Sequence, residues 1–381
     1  DLNYCKSILY LQEDSMNSPI SPRIIDADAH VVECARTWDF MDASERQYRP
    51  IPLETREEAG IKLQFWLIDG KVRGFRFPAF STEALANLAG RVGRKFADAQ
   101  EARELGNVEL RLEHMDETGV DVQVLHNTVF IESATDRAGV EVALYKSWNQ
   151  WLGDIWKQGQ GRLLWSCMAP TLSIPDALDQ IRWSKQHGAC AVMMRPVEGQ
   201  RLLADPYFYP IYDEAQKLDL PIAIHIANGN SWLNDLYSHP VRIASTFHRF
   251  RIPTVAAFND IIMSEIHEVF PRLRFGFIEA SAQWLPWVMH EARNRFKTLG
   301  RSWPENPFRT LGMYVTCENG DDIPYIVREA GEDCLVIGTD YGHTDTSSDV
   351  DAIKIFKDRP DVSPEVKRKI LSDNARALYG L

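Results

Sequence analysis

The densest chemistry in the chain is Asp26-Ala27-Asp28-Ala29-His30, where two carboxylates and an imidazole alternate with small residues. In an extended segment side chains alternate faces, so Asp26, Asp28 and His30 share one side. A carboxylate and an imidazole so placed converge on a single ion, because oxygen and nitrogen bonds to zinc-like metals are about 2 Å long. Asp26 enters the strand earlier and reads as a supporting residue. A second signal is His225, which closes the apolar run from Pro221; on its own it equally suits a satisfied core histidine. A third is Asp340, which ends the run Leu335 to Thr339 and precedes Tyr341-Gly342-His343. A carboxylate buried after such a run needs a partner, either a metal or a histidine.

Other residues fall where they could serve the same pocket. His343 reaches it from the loop after Asp340, as proton shuttle, additional ligand or exposed loop histidine. His126 ends a strand and faces the mouth, to meet substrate or a second ion. Arg195 also ends a strand; its guanidinium suits a carboxylate clamp, or it pairs with Glu279 or Glu198. Trp232, Trp284 and Trp287 form either an aromatic wall or ordinary core. Glu33 and Glu318, just beyond strand ends, are weaker candidates for hydrogen bonds that orient the ligands. His114, His187, His239, His248, His267 and His290 have no convergent partners and read as structural.

Short apolar runs with helical segments between them must carry these residues. Eight runs recur, at Ile24 to Asp28, Val120 to His126, Leu164 to Ala169, Ala191 to Arg195, Ile222 to His225, Arg274 to Glu279, Met313 to Cys317 and Cys334 to Thr339. Strand and helix alternating over this length predict a closed α/β barrel, with the C-terminal strand ends forming the site. The spacing breaks once, over 34–118, which is too long for a plain connection. There Lys62 to Ile68 and Lys71 to Phe77, joined by Asp69-Gly70, predict a hairpin. Glu83 to Arg103 predicts a charged amphipathic helix. This insertion reads as a lid or an oligomerisation element on one catalytic domain spanning 16–381, with 1–15 as leader or appended sequence.

The 381 residues carry 54 acidic against 42 basic side chains, a net charge of -12. That balance repels phosphate backbones and anionic membrane surfaces, so neither nucleic acid nor membrane is expected as a partner. No apolar run approaches the roughly 18 to 20 residues of a spanning helix. The six cysteines show no paired spacing, which fits a reducing cytoplasm.

Asp28-Ala29-His30, the Leu220 to His225 strand and Gly338-Thr339-Asp340-Tyr341-Gly342-His343 together resemble the amidohydrolase-related branch of the amidohydrolase superfamily, which is similar to aminocarboxymuconate semialdehyde decarboxylase and the resorcylate decarboxylases. The resemblance runs from Ile24 to Leu381 and includes Met115 to Asp121 and Asn374 to Tyr379. It implies a distorted (β/α)8 TIM barrel binding a divalent ion, commonly zinc or manganese, through Asp28, His30, His225 and Asp340. The first of these positions is His in some members and an acid in others. Members decarboxylate, hydrate or hydrolyse small, often aromatic carboxylates and assemble as homodimers or larger oligomers.

One departure matters. Where decarboxylating relatives carry a proton-handling His on strand six, this chain has Glu279, which suits a general base if burial raises its pKa, or a metal ligand. The leading reading is a metal-dependent lyase or hydrolase acting on a small carboxylate. Asp340 would bind the ion and orient water, with His343 or Glu279 moving protons. The alternative is an iron-dependent oxygenase of the same fold, with one ion or two and with a hetero-oligomer possible, since a few relatives of this branch are of that kind. A non-catalytic supporting subunit is a third reading, though no ligand is missing. Metal identity and count separate them.

Overall fold

The computed structural model describes residues 23–97, 99–237 and 246–381. The chain enters through β1 (Ile25–His30), all of it buried, and then departs into β2 (Ile51–Glu54), β3 (Ile61–Ile68), β4 (Lys71–Phe80), α1 (Thr82–Val92) and α2 (Val108–Thr118). Strands and helices then alternate as β5 (Val122–His126), α3 (Ala138–Gln158), β6 (Leu163–Met168), α4 (Ile174–Gln186) and β7 (Ala189–Met194). A small hairpin, β8 (Val197–Glu198) and β9 (Arg201–Leu202), precedes α5 (Tyr209–Lys217) and β10 (Ile222–His225). The series closes with α6 (Ile252–Met263), β11 (Phe275–Ile278), α7 (Leu285–Thr298), β12 (Met313–Cys317), α8 (Ile323–Ala330) and β13 (Leu335–Ile337).

The strands line up as β1-β5-β6-β7-β10-β11-β12-β13, a parallel sheet of eight. It closes on itself where His30 N donates to Tyr341 O and Asp340 N to Asp28 O, each at 2.8 Å. The fold is a (β/α)8 barrel, as the run of eight apolar segments predicts. Two strand ends lie two residues from expectation. β1 runs on to His30, while β13 stops at Ile337 and leaves Asp340 in the loop that follows.

Closure depends on contacts that also set the site. A Cβ on Gly338 would lie 2.1 Å from that of Asp28, so only glycine lets the β13 end lie against β1. The close approach brings Asp26 under Thr339, from which it accepts hydrogen bonds at 2.9 Å (N) and 2.6 Å (Oγ1), with a third from Gln123 Nε2 at 3.0 Å. Burial pushes the Asp26 carboxyl up to about 6 against those bonds. Arg111, fully buried on α2, joins the same frame. It donates to Gln123 Oε1 at 2.7 Å and to His30 O at 3.2 Å, and its guanidinium lies 3.5 Å over the Tyr341 ring.

In the insertion, β2, β3 and β4 form an antiparallel sheet whose Asp69-Gly70 turn has φ of 52° and 74°, the turn that matches strand twist. The single helix expected over Glu83 to Arg103 is two pieces. Gly93, at φ 67°, ends α1 in a left-handed cap, and a separate turn forms at Gln100–Arg103. Among the described residues no helix is long and apolar enough to cross a membrane. The expectation for 1–15 lies outside the described residues.

Gly338→Ala must push β13 away from β1. It is expected to cost about 1 to 3 kcal/mol, as overpacking does, read as a lower urea midpoint at unchanged slope. A midpoint equal to that of the unaltered protein would contradict the close approach.

Candidate metal centre

The C-terminal ends of β1, β10, β11 and β13 bring Asp28, His30, His225, Glu279, Asp340 and His343 into one buried cluster. Around His30 Nε2 stand Asp28 Oδ1 at 3.6 Å, Asp340 Oδ1 at 3.5 Å and Glu279 Oε2 at 3.7 Å. His225 Nε2 lies 3.3 Å from both Asp28 Oδ1 and Glu279 Oε2. Two sets of four donors, each within 4.8 Å of one another, emerge: Asp28, His30, His225 and Glu279, and His30, Glu279, Asp340 and His343.

The tautomers reveal what this geometry needs. His30 Nδ1 faces Asn127 O at 2.9 Å and His225 Nδ1 faces Ile226 O at 3.1 Å, and carbonyl oxygens only accept. Both Nδ1 atoms therefore carry hydrogen, and each Nε2 points a lone pair at carboxylate oxygens. His343 is reversed. The Thr128 hydroxyl donates to Val31 O, so at 2.8 Å from His343 Nε2 it accepts, and the His343 lone pair at Nδ1 faces Asp340 Oδ1 at 2.8 Å. Lone pairs repel unless a cation lies among them. His30 Nε2, Glu279 Oε2 and Asp340 Oδ1 are accordingly buried without a hydrogen-bond partner, the 2.8 Å contact to His343 being out of alignment. Such orphans fit a metal ion, and imidazoles oriented by backbone carbonyls are the usual supports of one.

The carboxylates respond to the crowding. Burial works against ionised Asp28, but the close approach of His225 and His30 outweighs it and holds this carboxyl well below the usual range. Burial pushes Glu279 well above its ordinary value, with the nearby Asp345 charge adding to it, and Asp340 likewise by burial and then Glu279. Burial, then His30, keeps His343 neutral. Backbone strain gathers here too. Glu279 and Asp340 have φ of 67° and 48°, left-handed conformations that cost a non-glycine residue about 1 to 3 kcal/mol and that turn each carboxylate inward. Glu279 N is caught by Thr316 Oγ1 at 2.5 Å.

Of the residues expected to meet substrate, none borders the cavity beside this cluster. Arg195 is spent on Glu198, with Nε at 3.0 Å and Nη2 at 2.5 Å, and on Tyr145 OH at 2.9 Å. His126 has both nitrogens engaged inside the barrel, by Ser166 Oγ at 2.8 Å and Ala27 O at 3.3 Å, and burial pushes its pKa down to about 3. Trp284 donates to Ala280 O and packs edge-on against Phe258. Trp232 and Trp287 are exposed. Glu33 accepts from Thr128 N, Val129 N and Trp148 Nε1, steadying the loop that holds Thr128, whereas Glu318 pairs with Arg251. Of the histidines read as structural, His114 bonds the Tyr341 hydroxyl, and His239 lies outside the described residues. Sequence reasoning missed Thr128, Ser347 and Ser348, which hold His343, Glu279 and Asp340.

The cavity measures about 310 Å³. Glu279 and His343 form its floor, Ile131, Ile226 and Phe250 its barrel side, and Leu88, Val92, Arg94 and Phe96 of the insertion its other wall, with Arg251 at its edge. A larger one of about 570 Å³, lined by Arg195, Glu198 and Trp232, touches none of the cluster.

The family model described as Amidohydrolase matches residues 25–381. The chain belongs to the amidohydrolase family. It is an enzyme of that family, and its fold is shared by solved members. An amidohydrolase from Mycobacterium avium subsp. paratuberculosis superposes with a TM-score of 0.74 at 17% identity, covering 95% of this chain and 100% of that one. A 5-carboxyvanillate decarboxylase from Novosphingobium aromaticivorans, solved with manganese and 4-hydroxy-3-methoxy-5-nitrobenzoic acid, gives 0.64 at 17% identity, covering 94% and 96%. A 4-oxalomesaconate hydratase from Rhodopseudomonas palustris gives 0.59 at 16%, covering 94% and 95%.

Two outcomes are expected. His225→Ala should weaken metal binding by more than the roughly 10- to 100-fold that an outer partner costs, while far-UV circular dichroism stays nearly unchanged. Full occupancy in that variant would rule out His225 as a ligand. Burial raises the Glu279 and Asp340 carboxyls well above their ordinary range, so protons compete with metal for both, and affinity should rise with pH. Binding titrations giving a pH-independent constant would contradict this.

Proposed function

We infer that this amidohydrolase-family enzyme is a metal-dependent lyase or hydrolase acting on a small carboxylate, with decarboxylation of an aromatic acid as the first chemistry to try. The observation that carries the reading is the set of orphaned buried acceptors, of which Glu279 reaches the floor of a largely apolar cavity that Arg94 and Arg251 also line. About 310 Å³ suits a small molecule. Leu88, Val92, Phe96, Ile131 and Phe250 offer an aromatic ring apolar contact, while Arg94, whose guanidinium meets backbone carbonyls where that of Arg251 pairs with Glu318, favours its carboxylate.

Asp28, His30 and His225 with Glu279 or Asp340 would hold the ion, and their mixed oxygen and nitrogen donors suit manganese or zinc. Bound there, a divalent ion would polarise a substrate oxygen or lower the pKa of a water. The chain's own residues would do the rest. His343, oriented by Thr128 and adjoining Asp340, is placed to move a proton at Nδ1. Glu279 borders the cavity and, where Asp340 rather than Glu279 holds the ion, is the other proton carrier. The insertion, by walling the cavity, acts as a lid that keeps out water, on a single catalytic domain. A homodimer or larger oligomer of a cytoplasmic enzyme completes this reading.

A second reading is favoured by the overlap of the two donor sets, which share His30 and Glu279. His30 has one lone pair and serves one ion, so a pair of ions would be joined through carboxylate. Three carboxylates against one divalent ion leave a negative charge that a second ion or protonated His343 would neutralise. With iron as the metal, such a site suits oxygen chemistry, alone or in a hetero-oligomer.

Elemental analysis of protein produced with iron, manganese and zinc all present separates these. One manganese or zinc per chain supports the lyase or hydrolase, whereas near two metals with iron would overturn it. Glu279→Gln, assayed against small aromatic carboxylates by product release, is expected to lower kcat about 10²- to 10⁴-fold, as loss of a proton-transfer group does.

A further inference from the structure

Two serines in the loop after β13 touch the cluster from behind. Ser347 Oγ donates to Glu279 Oε1 at 2.7 Å and Ser348 Oγ to Asp340 Oδ2 at 2.5 Å. Neither contacted oxygen is the one that faces the imidazoles. Oε2 of Glu279 and Oδ1 of Asp340 are the orphans. A carboxylate with one oxygen tied to a hydroxyl presents the other more readily, so the serines favour one-oxygen binding by each acid and fix its direction.

The loop is in turn held by the insertion. Arg94 Nη1 donates to Asp345 O at 3.1 Å and Thr346 O at 2.5 Å, immediately before the serines. Lys95 continues the seam, its O accepting from Val350 N at 2.9 Å and its N donating to Asp349 Oδ1 at 3.4 Å. On the barrel side Asp349 N donates to Thr339 O at 3.0 Å. Asp345 Oδ1, which accepts from Ser347 N at 2.8 Å, lies 2.8 Å from the Ser347 hydroxyl as well, so that hydroxyl sits between Asp345 and Glu279.

We propose that Ser347 and Ser348 are positioning residues for the two carboxylates at the metal centre, and that Arg94 latches the loop that carries them, so that the insertion sets the affinity of the site. The proposal rests on the metal-centre reading. Arg94 also lines the cavity, so the element that walls the substrate space is the one that braces the ligands.

The test measures manganese dissociation constants, by competition with a chelating dye, for Ser347→Ala, Ser348→Ala, Arg94→Ala and Ser347→Thr. The metal-free Tm of each and the visible spectrum of its cobalt-loaded form are recorded alongside. Each alanine variant should bind about 10- to 100-fold more weakly at unchanged metal-free Tm, the size of effect typical for an outer partner of a ligand. Cobalt bands should change intensity as the released carboxylate turns both oxygens to the ion, and Ser347→Thr should restore the unaltered values. Combining Arg94→Ala with Ser347→Ala should add less than the sum of the two, since both act through one loop. Affinities within about twofold of the unaltered protein, far short of that effect, would overturn the proposal while leaving the metal centre standing. A loss that follows a falling metal-free Tm with cobalt bands unchanged would overturn it as well. Failure of the unaltered protein to bind any metal would remove the metal centre and the proposal together.

Discussion

Three imidazoles whose N–H groups are committed to neutral oxygens leave three lone pairs aimed at carboxylate oxygens inside a barrel. Such an arrangement is repulsive on its own and attractive only around positive charge. Burial raises the Glu279 and Asp340 carboxyls well above their ordinary range, and a divalent ion held there would compete with the protons they take up. Much of the surrounding architecture makes sense as the means of holding this configuration. Gly338 lets β13 approach β1, Asp26 and Thr339 lock that approach, and Arg111 ties β1 to β5 and to Tyr341. The left-handed Glu279 and Asp340 are tolerated because hydroxyls on either side hold them.

The barrel and most of the cluster were legible in the sequence because both follow from local periodicity. Apolar runs mark strands, and a polar residue closing such a run must face the C-terminal mouth, which finds Asp28, His30, His225 and Asp340, whereas Glu279 stood out through the family resemblance. What the sequence could not show depends on neighbours distant in the chain. His126 closes its strand as His225 does, yet Ser166 on β6 and the Ala27 carbonyl on β1 occupy it. Arg195 lies three residues before Glu198, close enough to pair, and nothing local says which of pairing or clamping prevails. Ser347 and Ser348 sit in a polar stretch, Thr344 to Asp349, that reads as an ordinary surface turn. Only closure of the barrel brings that turn over the carboxylates.

The insertion illustrates the same limit. Its hairpin was plain from Asp69-Gly70, but the amphipathic pattern of Glu83 to Arg103 does not show that Gly93 ends the helix in a left-handed cap. The break there frees Arg94 to Phe96 to run beside the loop after β13. A segment that sequence length marks as an appendage is thereby joined to the ligand-bearing end of the barrel by hydrogen bonds of the Lys95 main chain, its O accepting from Val350 N and its N donating to the Asp349 carboxylate. Substrate space, ligand orientation and insertion are one mechanical unit, which ties specificity to metal affinity.

The most direct measurement is a crystal structure of manganese-loaded protein with anomalous differences collected on either side of the metal edge. An anomalous peak among His30 Nε2, His225 Nε2, Asp28 Oδ1 and Glu279 Oε2, at bonds of about 2 Å, is the expected result. A density map with no anomalous peak there, and with those atoms bonded to water or to one another instead, would contradict it.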